Sequence, residues 1–244
     1  MALAEDLRHA FAPPHPAGRP FILGGVLAVM LGVVLGLWIT WLGLAFILFC
    51  LFFFRDPERV PPPRRDVVVA PADGRVLSVG LAVPPAELGL GGQARWRVCI
   101  FLSVLNVHVN RAPADGTVTR IAYRHGAFLS ASLDKASTDN ERNALALRIP
   151  DGREMAVVQI AGLIARRIVF YKKVGDAVQA GERVGLIKFG SRVDVIFGPE
   201  WRVEVTPGMR VSAGTSVLAR RAGEVVLPAT LTAALVEEAA LCRT

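Results

Sequence analysis

One long apolar run near the N-terminus dominates the pattern of hydrophobic and polar positions along this chain. No charged residue occurs in the 34 residues from Phe21 to Phe54. A single helix of that length would measure about 50 Å, whereas the hydrocarbon core of a bilayer is about 30 Å thick. Gly36, Trp38 and Trp41 lie at the centre of the run, and indole rings prefer the interface between membrane and water. The pattern therefore predicts two short membrane helices that form a hairpin, with a single strongly tilted span as the alternative.

The charged residues on either side of this run predict where its ends lie. The flanking basic residues are Arg8, Arg19, Arg55, Arg59, Arg64 and Arg65. Segments rich in Lys and Arg next to membrane helices stay in the cytoplasm, so both ends are expected there. A cleaved signal peptide fits poorly, because its apolar region would be much shorter. We expect a cytoplasmic N-terminal segment at 1–20 and a membrane anchor at 21–54.

After the anchor, the pattern changes to short β-type runs separated by Gly, Asp and Pro. Three consecutive prolines predict a stiff linker at 55–66. The runs that follow predict strands; examples are Val67–Val69, Arg75–Val79, Trp96–Leu102 and Arg167–Phe170. We expect a mainly β domain over 67–229 and a helical tail over 230–244. The fold class is then mainly β, sandwich- or barrel-like, preceded by an N-terminal membrane helix or helical hairpin.

Two internal echoes favour a β domain built from hammerhead-type repeats. The sequence Pro-Ala-Asp-Gly occurs at 71–74 and again at 113–116. The spacing Gly-x-x-Val-x-Ala-Gly-x-x-Val occurs at 175–184 and again at 208–217. Each pair is also explained by two similar turns, so the sequence leaves shared ancestry open.

Composition narrows the range of partners. The formal net charge of +7 and the pI near 10 suit either nucleic acid or anionic lipid. The anchor favours lipid, because basic segments near an anionic membrane gain about 1 kcal/mol per Lys or Arg. Cys50, Cys99 and Cys242 are widely spaced, which predicts neither a disulfide framework nor a metal site. We therefore expect an anionic membrane as partner, no nucleic acid and no metal.

The candidate chemistry lies at a Gly-Ser bond between two apolar, strand-like runs. Gly190 has no side chain to shield its carbonyl group and can adopt backbone conformations closed to other residues. The hydroxyl group of Ser191 could therefore attack that carbonyl, and the resulting ester could eliminate to leave a pyruvoyl group. A Gly-Ser pair alone more often marks a turn, so this interpretation depends on the rest of the sequence.

Several segments, taken in order, resemble those of the short, membrane-bound bacterial phosphatidylserine decarboxylases. They are Arg55–Arg59, Pro71–Gly74, Phe101–Arg111, Leu133–Ser137, Asn140–Asn143 and Val184–Val195. The resemblance implies conversion of phosphatidylserine to phosphatidylethanolamine and CO2, through a Schiff base with a pyruvoyl group formed from Ser191. It also implies cleavage into chains 1–190 and 191–244 that stay associated, and leaves a homo-oligomer open. The implied location is the bacterial inner membrane, with the catalytic domain on the cytoplasmic side.

A pyruvoyl group would supply the electron-accepting carbonyl that decarboxylation at an α-carbon needs. Pyridoxal phosphate would do the same, but it needs a Schiff-base lysine and a phosphate-binding loop. None of the lysines lies in a recognisable setting of that kind; they are Lys135, Lys172, Lys173 and Lys188. We therefore expect a pyruvoyl group and no pyridoxal phosphate.

The resemblance also assigns residues to the two reactions. His108 matches the decarboxylation histidine, and Asp73 matches the aspartate that the family pairs with histidine and serine for self-cleavage. Longer members carry a second histidine three residues later, where this chain has Arg111. Either His108 serves both steps, or Arg111 assists Ser191 electrostatically while another group removes the proton. Arg192 and Asp194 are further candidates for assisting roles at the site.

Two other function classes compete with this interpretation. A non-catalytic, membrane-tethered carrier-like binding module would need an exposed lysine at a hairpin tip. Lys188 lies in an apolar stretch and fits that role poorly. A membrane-bound serine hydrolase could use Ser191, but the chain lacks the G-x-S-x-G pattern around it.

Overall fold

The computed structural model describes residues 12–126, 140–162, 167–188 and 191–221. The chain divides into two compact units, the first made of Met1–Arg59 with Val104–His108 and the second of Val60–Ser103 with Val109–Thr244. The predicted helical tail at 230–244, the segment 133–137 and Gly190 lie outside the described residues.

The first unit contains two apolar helices that form an antiparallel hairpin. Helix α1 spans Arg19–Leu35, and Pro20 in its first turn suits a helix start. Helix α2 spans Leu37–Phe53. Gly36 joins them with φ of 148°, a conformation that residues with side chains rarely adopt. Small residues let the helices approach closely, since a Cβ atom on Gly32 would lie 2.3 Å from the backbone nitrogen of Thr40.

The two ends of the hairpin are tied together by backbone hydrogen bonds. Pro14 and Arg55 form an antiparallel bridge, and the backbone N–H of His15 donates to the carbonyl of Phe54 at 2.7 Å. Both ends therefore lie on the same side. By length and composition, the segment Pro16–Leu35 could cross a membrane, and α2 is a shorter apolar helix.

The second unit is a β domain of antiparallel sheets, as predicted for the fold class. The strands are β1 Val67–Val69, β2 Gly74–Ala82, β3 Arg95–Leu102, β4 Val109–Arg111, β5 Gly116–Arg124, β6 Arg142–Arg148, β7 Glu154–Ala161, β8 Ile168–Phe170, β9 Ala177–Val178, β10 Arg183–Ile187, β11 Ser191–Phe197, β12 Trp201–Val203, β13 Arg210–Val211 and β14 Val217–Arg221. One eight-stranded sheet has the order β13-β2-β3-β11-β7-β6-β5-β9, and two three-stranded sheets have the orders β1-β14-β12 and β4-β10-β8.

Strand β11 lies inside the large sheet, paired with β3 on one side and β7 on the other. Its seven residues are all buried, because each face of the strand meets apolar side chains. Val193 and Val195 contribute to the main core, whereas Ile196 belongs to a smaller cluster that includes Leu88 and Ile160. Successive side chains of a strand point to opposite faces, so odd-numbered positions of β11 face the main core.

The internal echoes of the sequence are two copies of the same structural arrangement. Oδ1 of Asp73 accepts a hydrogen bond from the N–H of Ala213 at 2.7 Å, and Oδ1 of Asp115 accepts one from the N–H of Ala180 at 2.9 Å. Equivalent backbone bonds of 2.8 Å recur in the two copies, from Gly214 N to Ala70 O and from Gly181 N to Ala112 O. The Pro-Ala-Asp-Gly turn at 71–74 thus contacts the glycine-rich repeat at 208–217, and the turn at 113–116 contacts the repeat at 175–184.

Candidate active site

Ser191 is the first residue of β11 and is completely buried. It lies between Leu102 of β3 and Ala161 of β7 in the register of the sheet. Its Oγ atom has no hydrogen-bond partner among the described residues. Leaving a buried hydroxyl group unpaired costs about 1–3 kcal/mol. Such a group in a native fold needs a functional or solvent explanation.

The strand end next to Ser191 is fastened by a buried asparagine. Nδ2 of Asn140 donates to the carbonyl of Ala161 at 2.8 Å, and the N–H of Ala161 donates to the carbonyl of Glu141 at 2.9 Å. Asn140 is fully buried. The segment Asn140–Asn143, one of those that resemble the family, therefore fixes the backbone of Ala161, which pairs with Ser191.

Asp73 immediately precedes β2 at the same end of the sheet as Ser191. Arg75 of β2 pairs with Phe101 of β3, and Phe101 pairs with Arg192 of β11. Two strand spacings of about 4.8 Å place the backbones of Asp73 and Ser191 on the order of 10 Å apart. The bond from Ala213 to the Asp73 carboxylate matches the one that Asp115 accepts in the other copy, so this contact is structural.

Arg192 and Asp194 form a buried ion pair on the face of β11 opposite to Ser191. Arg192 donates from Nε to Oδ1 of Asp194 at 2.6 Å and from Nη2 to Oδ2 at 2.8 Å. Nη2 also contacts Sγ of Cys99 at 2.9 Å. Burial disfavours the charge of Arg192, but the carboxylate of Asp194 outweighs it, so the pKa of the guanidinium is raised. Strand alternation therefore points the side chains of this pair away from the side chain of Ser191.

Burial also raises the pKa of the Cys99 thiol to about 11, and the negative charge of Asp194 adds to this shift. The thiol therefore stays protonated at neutral pH.

Arg111 lies on β4 in one of the small sheets and is buried. Its Nη1 atom donates to the carbonyl of Gly181 at 2.8 Å, within the first glycine-rich repeat at 175–184. Arg111 thus supports the turn that carries Gly181, and a role at Ser191 stays a prediction.

His108 belongs to the first unit, whereas Asp73, Arg111 and Ser191 belong to the second. Its Nδ1 atom lies 2.8 Å from the carbonyl oxygen of Asn106, and its ring packs 4.2 Å from that of Phe53. A carbonyl oxygen only accepts, so Nδ1 carries the proton and the neutral ring has its lone pair on Nε2.

Burial, the hydrogen bond with Asn106 that opposes it, and the positive charge of Arg55 together lower the pKa of His108 to about 4, against an ordinary value of 6.5; burial is the main cause. The imidazole is therefore neutral at physiological pH.

A set of buried amides was missed by the sequence reasoning. Asn110, Asn143 and Gln159 are each at most 2% exposed and are joined by side-chain hydrogen bonds. The available signal was at Gln159, the single polar residue in the apolar run Met-Ala-Val-Val-Gln-Ile-Ala. Among the described residues, no group of three or more His, Cys, Asp or Glu side chains could hold a metal ion.

Comparison with known proteins identifies the family. The sequence profile of the family described as phosphatidylserine decarboxylase matches residues 46–219. The chain belongs to the phosphatidylserine decarboxylase family. A phosphatidylserine decarboxylase proenzyme from Granulibacter bethesdensis is 62% identical over 220 residues, which cover 90% of each chain. A proenzyme of the same name from Gluconobacter oxydans is 55% identical and covers 90% of this chain and 100% of its own.

A more distant phosphatidylserine decarboxylase proenzyme, from Saccharopolyspora erythraea, is 50% identical over 91% of this chain and 93% of its own. The family resemblance drawn from the sequence motifs is therefore confirmed.

Proposed function

We propose that this protein converts phosphatidylserine to phosphatidylethanolamine and CO2 after cleaving itself between Gly190 and Ser191. The observation that carries the proposal is the unpaired, fully buried hydroxyl group of Ser191 at the start of β11. The word proenzyme in the names of its relatives supports a processed chain. The pyruvoyl group formed from Ser191 would supply the carbonyl that accepts electrons during decarboxylation.

The cleavage uses only groups of the chain and one water molecule. Oγ of Ser191 attacks the carbonyl carbon of Gly190, and the hydroxyl proton passes to a base. The C–N bond then breaks, the nitrogen of Ser191 takes up a proton, and an ester remains. Removal of the Cα proton of Ser191 expels the Gly190 carboxylate and leaves dehydroalanine. Hydrolysis of this residue consumes water, releases ammonia and leaves the pyruvoyl group.

His108 is the residue that we assign to proton handling in decarboxylation. Its pKa of about 4 keeps the imidazole neutral at neutral pH, so Nε2 is able to accept a proton. The hydrogen bond to Asn106 fixes the ring orientation. We assign Asp73 to self-cleavage, where a carboxylate can orient or balance the charge of the base that activates Ser191. Arg111 then either assists electrostatically or leaves both steps to His108.

The helical hairpin is the proposed membrane anchor. Each helix has 17 residues and is therefore about 26 Å long, close to the thickness of a hydrocarbon core. Trp38 and Trp41 are exposed near the turn, where an interface would surround them. With both ends on one side and basic residues there, the hairpin would insert from the cytoplasmic face of the bacterial inner membrane.

Intact mass spectrometry of the purified protein tests the proposal. We expect two chains, 1–190 and 191–244, with the smaller one blocked to Edman degradation. Ser191→Ala should remain one chain and form no phosphatidylethanolamine. Ser78→Ala, which removes a hydroxyl group from β2 on the far side of β3, is the control and should still be cleaved. A wild-type protein that stays intact and still decarboxylates phosphatidylserine would refute the mechanism, and an intact esterase would favour a serine hydrolase.

A further inference from the structure

Three buried side-chain amides form a directed chain of hydrogen bonds through the β domain. Nδ2 of Asn143 donates to Oε1 of Gln159 at 3.0 Å, and Nε2 of Gln159 donates to Oδ1 of Asn110 at 2.8 Å. Each amide thus accepts from one neighbour and offers its donor to the next. The last donor, Nδ2 of Asn110, has no hydrogen-bond partner among the described residues, although Asn110 is only 1% exposed.

The register of the large sheet places this chain beside Ser191. Ser191 pairs with Ala161, and Val193 pairs with Gln159. Gln159 is therefore the diagonal neighbour of Ser191 across the two strands, at about 7–8 Å. Both side chains point to the same face, because paired residues and alternate residues of a strand share a face.

A glycine on β10 leaves the space that the amide of Gln159 occupies. Gly185 pairs with Asn110, and a Cβ atom on Gly185 would lie 3.2 Å from Nε2 of Gln159. The same Cβ atom would lie 2.3 Å from the carbonyl oxygen of Val169. The amide chain therefore passes between the large sheet and the small sheet formed by β4, β10 and β8.

Two unpaired polar atoms consequently lie on one interior side of the domain. They are Oγ of Ser191 and Nδ2 of Asn110, and each costs about 1–3 kcal/mol while it lacks a partner. An apolar triad of the same shape would avoid that cost. Because both atoms are unpaired in the uncleaved chain, a shared role in the first reaction of that chain explains both.

We propose that Nδ2 of Asn110 donates a hydrogen bond to the oxyanion formed when Ser191 attacks the carbonyl of Gly190. The inference rests on the self-cleavage proposed above. In that step the Oγ–C bond forms, the hydroxyl proton passes to a base, and the carbonyl oxygen takes the negative charge. Asn110 transfers no proton. Gln159, whose Nε2 atom donates to Oδ1 of Asn110, is the positioning residue that keeps the amide of Asn110 from rotating.

Asn110→Asp is the sharpest variant, because it keeps an oxygen for the Gln159 amide and removes the donor. We expect the rate constant of self-cleavage to fall by about 100-fold to 1000-fold, the loss typical of removing one oxyanion donor. In Asn110→Leu, which cannot donate at any pH, the rate constant of self-cleavage should fall by a similar factor. Asn143→Asp, the same exchange at the far end of the chain, is the matched control and should slow cleavage less than tenfold.

The readout is a time course of chain cleavage on a gel, starting from newly synthesised precursor, together with phosphatidylethanolamine formed per cleaved chain. We expect the loss in the Asn110 variants to be confined to cleavage. Wild-type cleavage rates in both Asn110 variants would overturn the inference and leave Asn110 with a buried water molecule only. Equal losses in cleavage and in turnover, or equal slowing by Asn143→Asp, would also overturn it as general damage to the fold.

Failure of this inference is distinguishable from failure of the proposed function. If wild-type protein never divides into two chains, self-cleavage itself is wrong. If wild-type protein divides and both Asn110 variants divide equally fast, only the role of Asn110 is wrong. Circular dichroism of each variant in the Ser191→Ala background separates slow chemistry from misfolding.

Discussion

Protonation of His108 gives the most demanding test of the site. We predict that its imidazole stays neutral until the pH falls to about 4, because burial withholds the water that would solvate an imidazolium ion. An unperturbed histidine titrates near 6.5. The difference corresponds to about 3 kcal/mol of free energy between the two protonation states.

The same difference sets the pH dependence of stability. Between about pH 6.5 and pH 4, His108 is protonated in the unfolded chain but stays neutral in the folded protein. The free energy of unfolding therefore decreases as the pH falls. This contribution is fully present above pH 6.5 and is lost by about pH 4. For His108 alone, the total loss is about 3 kcal/mol.

Histidine ring NMR on the uncleaved Ser191→Ala protein measures this pKa directly. His108→Gln identifies the resonance, since that signal alone disappears. Denaturant unfolding of both proteins between pH 7.5 and pH 4.5 then measures the linked free energy, and the His108→Gln protein should lose the corresponding part of the slope. A ring that titrates at 6.5 or above, or equal slopes in the two proteins, would refute the argument from burial.

Three further predictions concern other parts of the molecule. Asp73→Ala and Asp115→Ala each lose one carboxylate bond to a backbone N–H and should each lose about 1–3 kcal/mol of stability, but only Asp73→Ala should block chain cleavage on a gel; a block in both would reduce Asp73 to a structural role. Gly32→Ala should lower the melting temperature in detergent, because its Cβ atom would overlap the facing helix, whereas Gly24→Ala has open space and should not; equal melting temperatures would contradict the close helix contact. Arg192→Met leaves a buried carboxylate unpaired and should reduce the free energy of unfolding by about 3–5 kcal/mol, and an unchanged denaturation midpoint would contradict this.

Local patterns predicted the elements well where the chain itself limits the choice. The run from Phe21 to Phe54 is too long for one straight span, and Gly36 is the residue at which the structure turns. The opposite faces of Ser191 and Arg192 also follow from strand alternation, once β11 is assigned. In these cases the deciding constraint lies within a few residues.

Pairings between distant segments could not be predicted in this way. The turn at 71–74 contacts the glycine-rich repeat at 208–217 and not the nearer repeat at 175–184. Asn110, Asn143 and Gln159 come from β4, β6 and β7, and only the folded register joins their amides. Their hydrogen bonds depend on sheet order, which a single sequence does not encode in any local pattern.

The interior position of β11 affects how the cleaved protein would unfold and refold. A cut just ahead of Ser191 would leave this strand bonded to β3 and β7 along its whole length, so the two products could not separate without melting the sheet. Folding would begin from one continuous polypeptide, but refolding after denaturation would require two fragments to find each other. The mature protein would therefore show hysteresis: its unfolding would depend on the heating rate, and its refolding would depend on protein concentration. The uncut precursor would refold as a single chain.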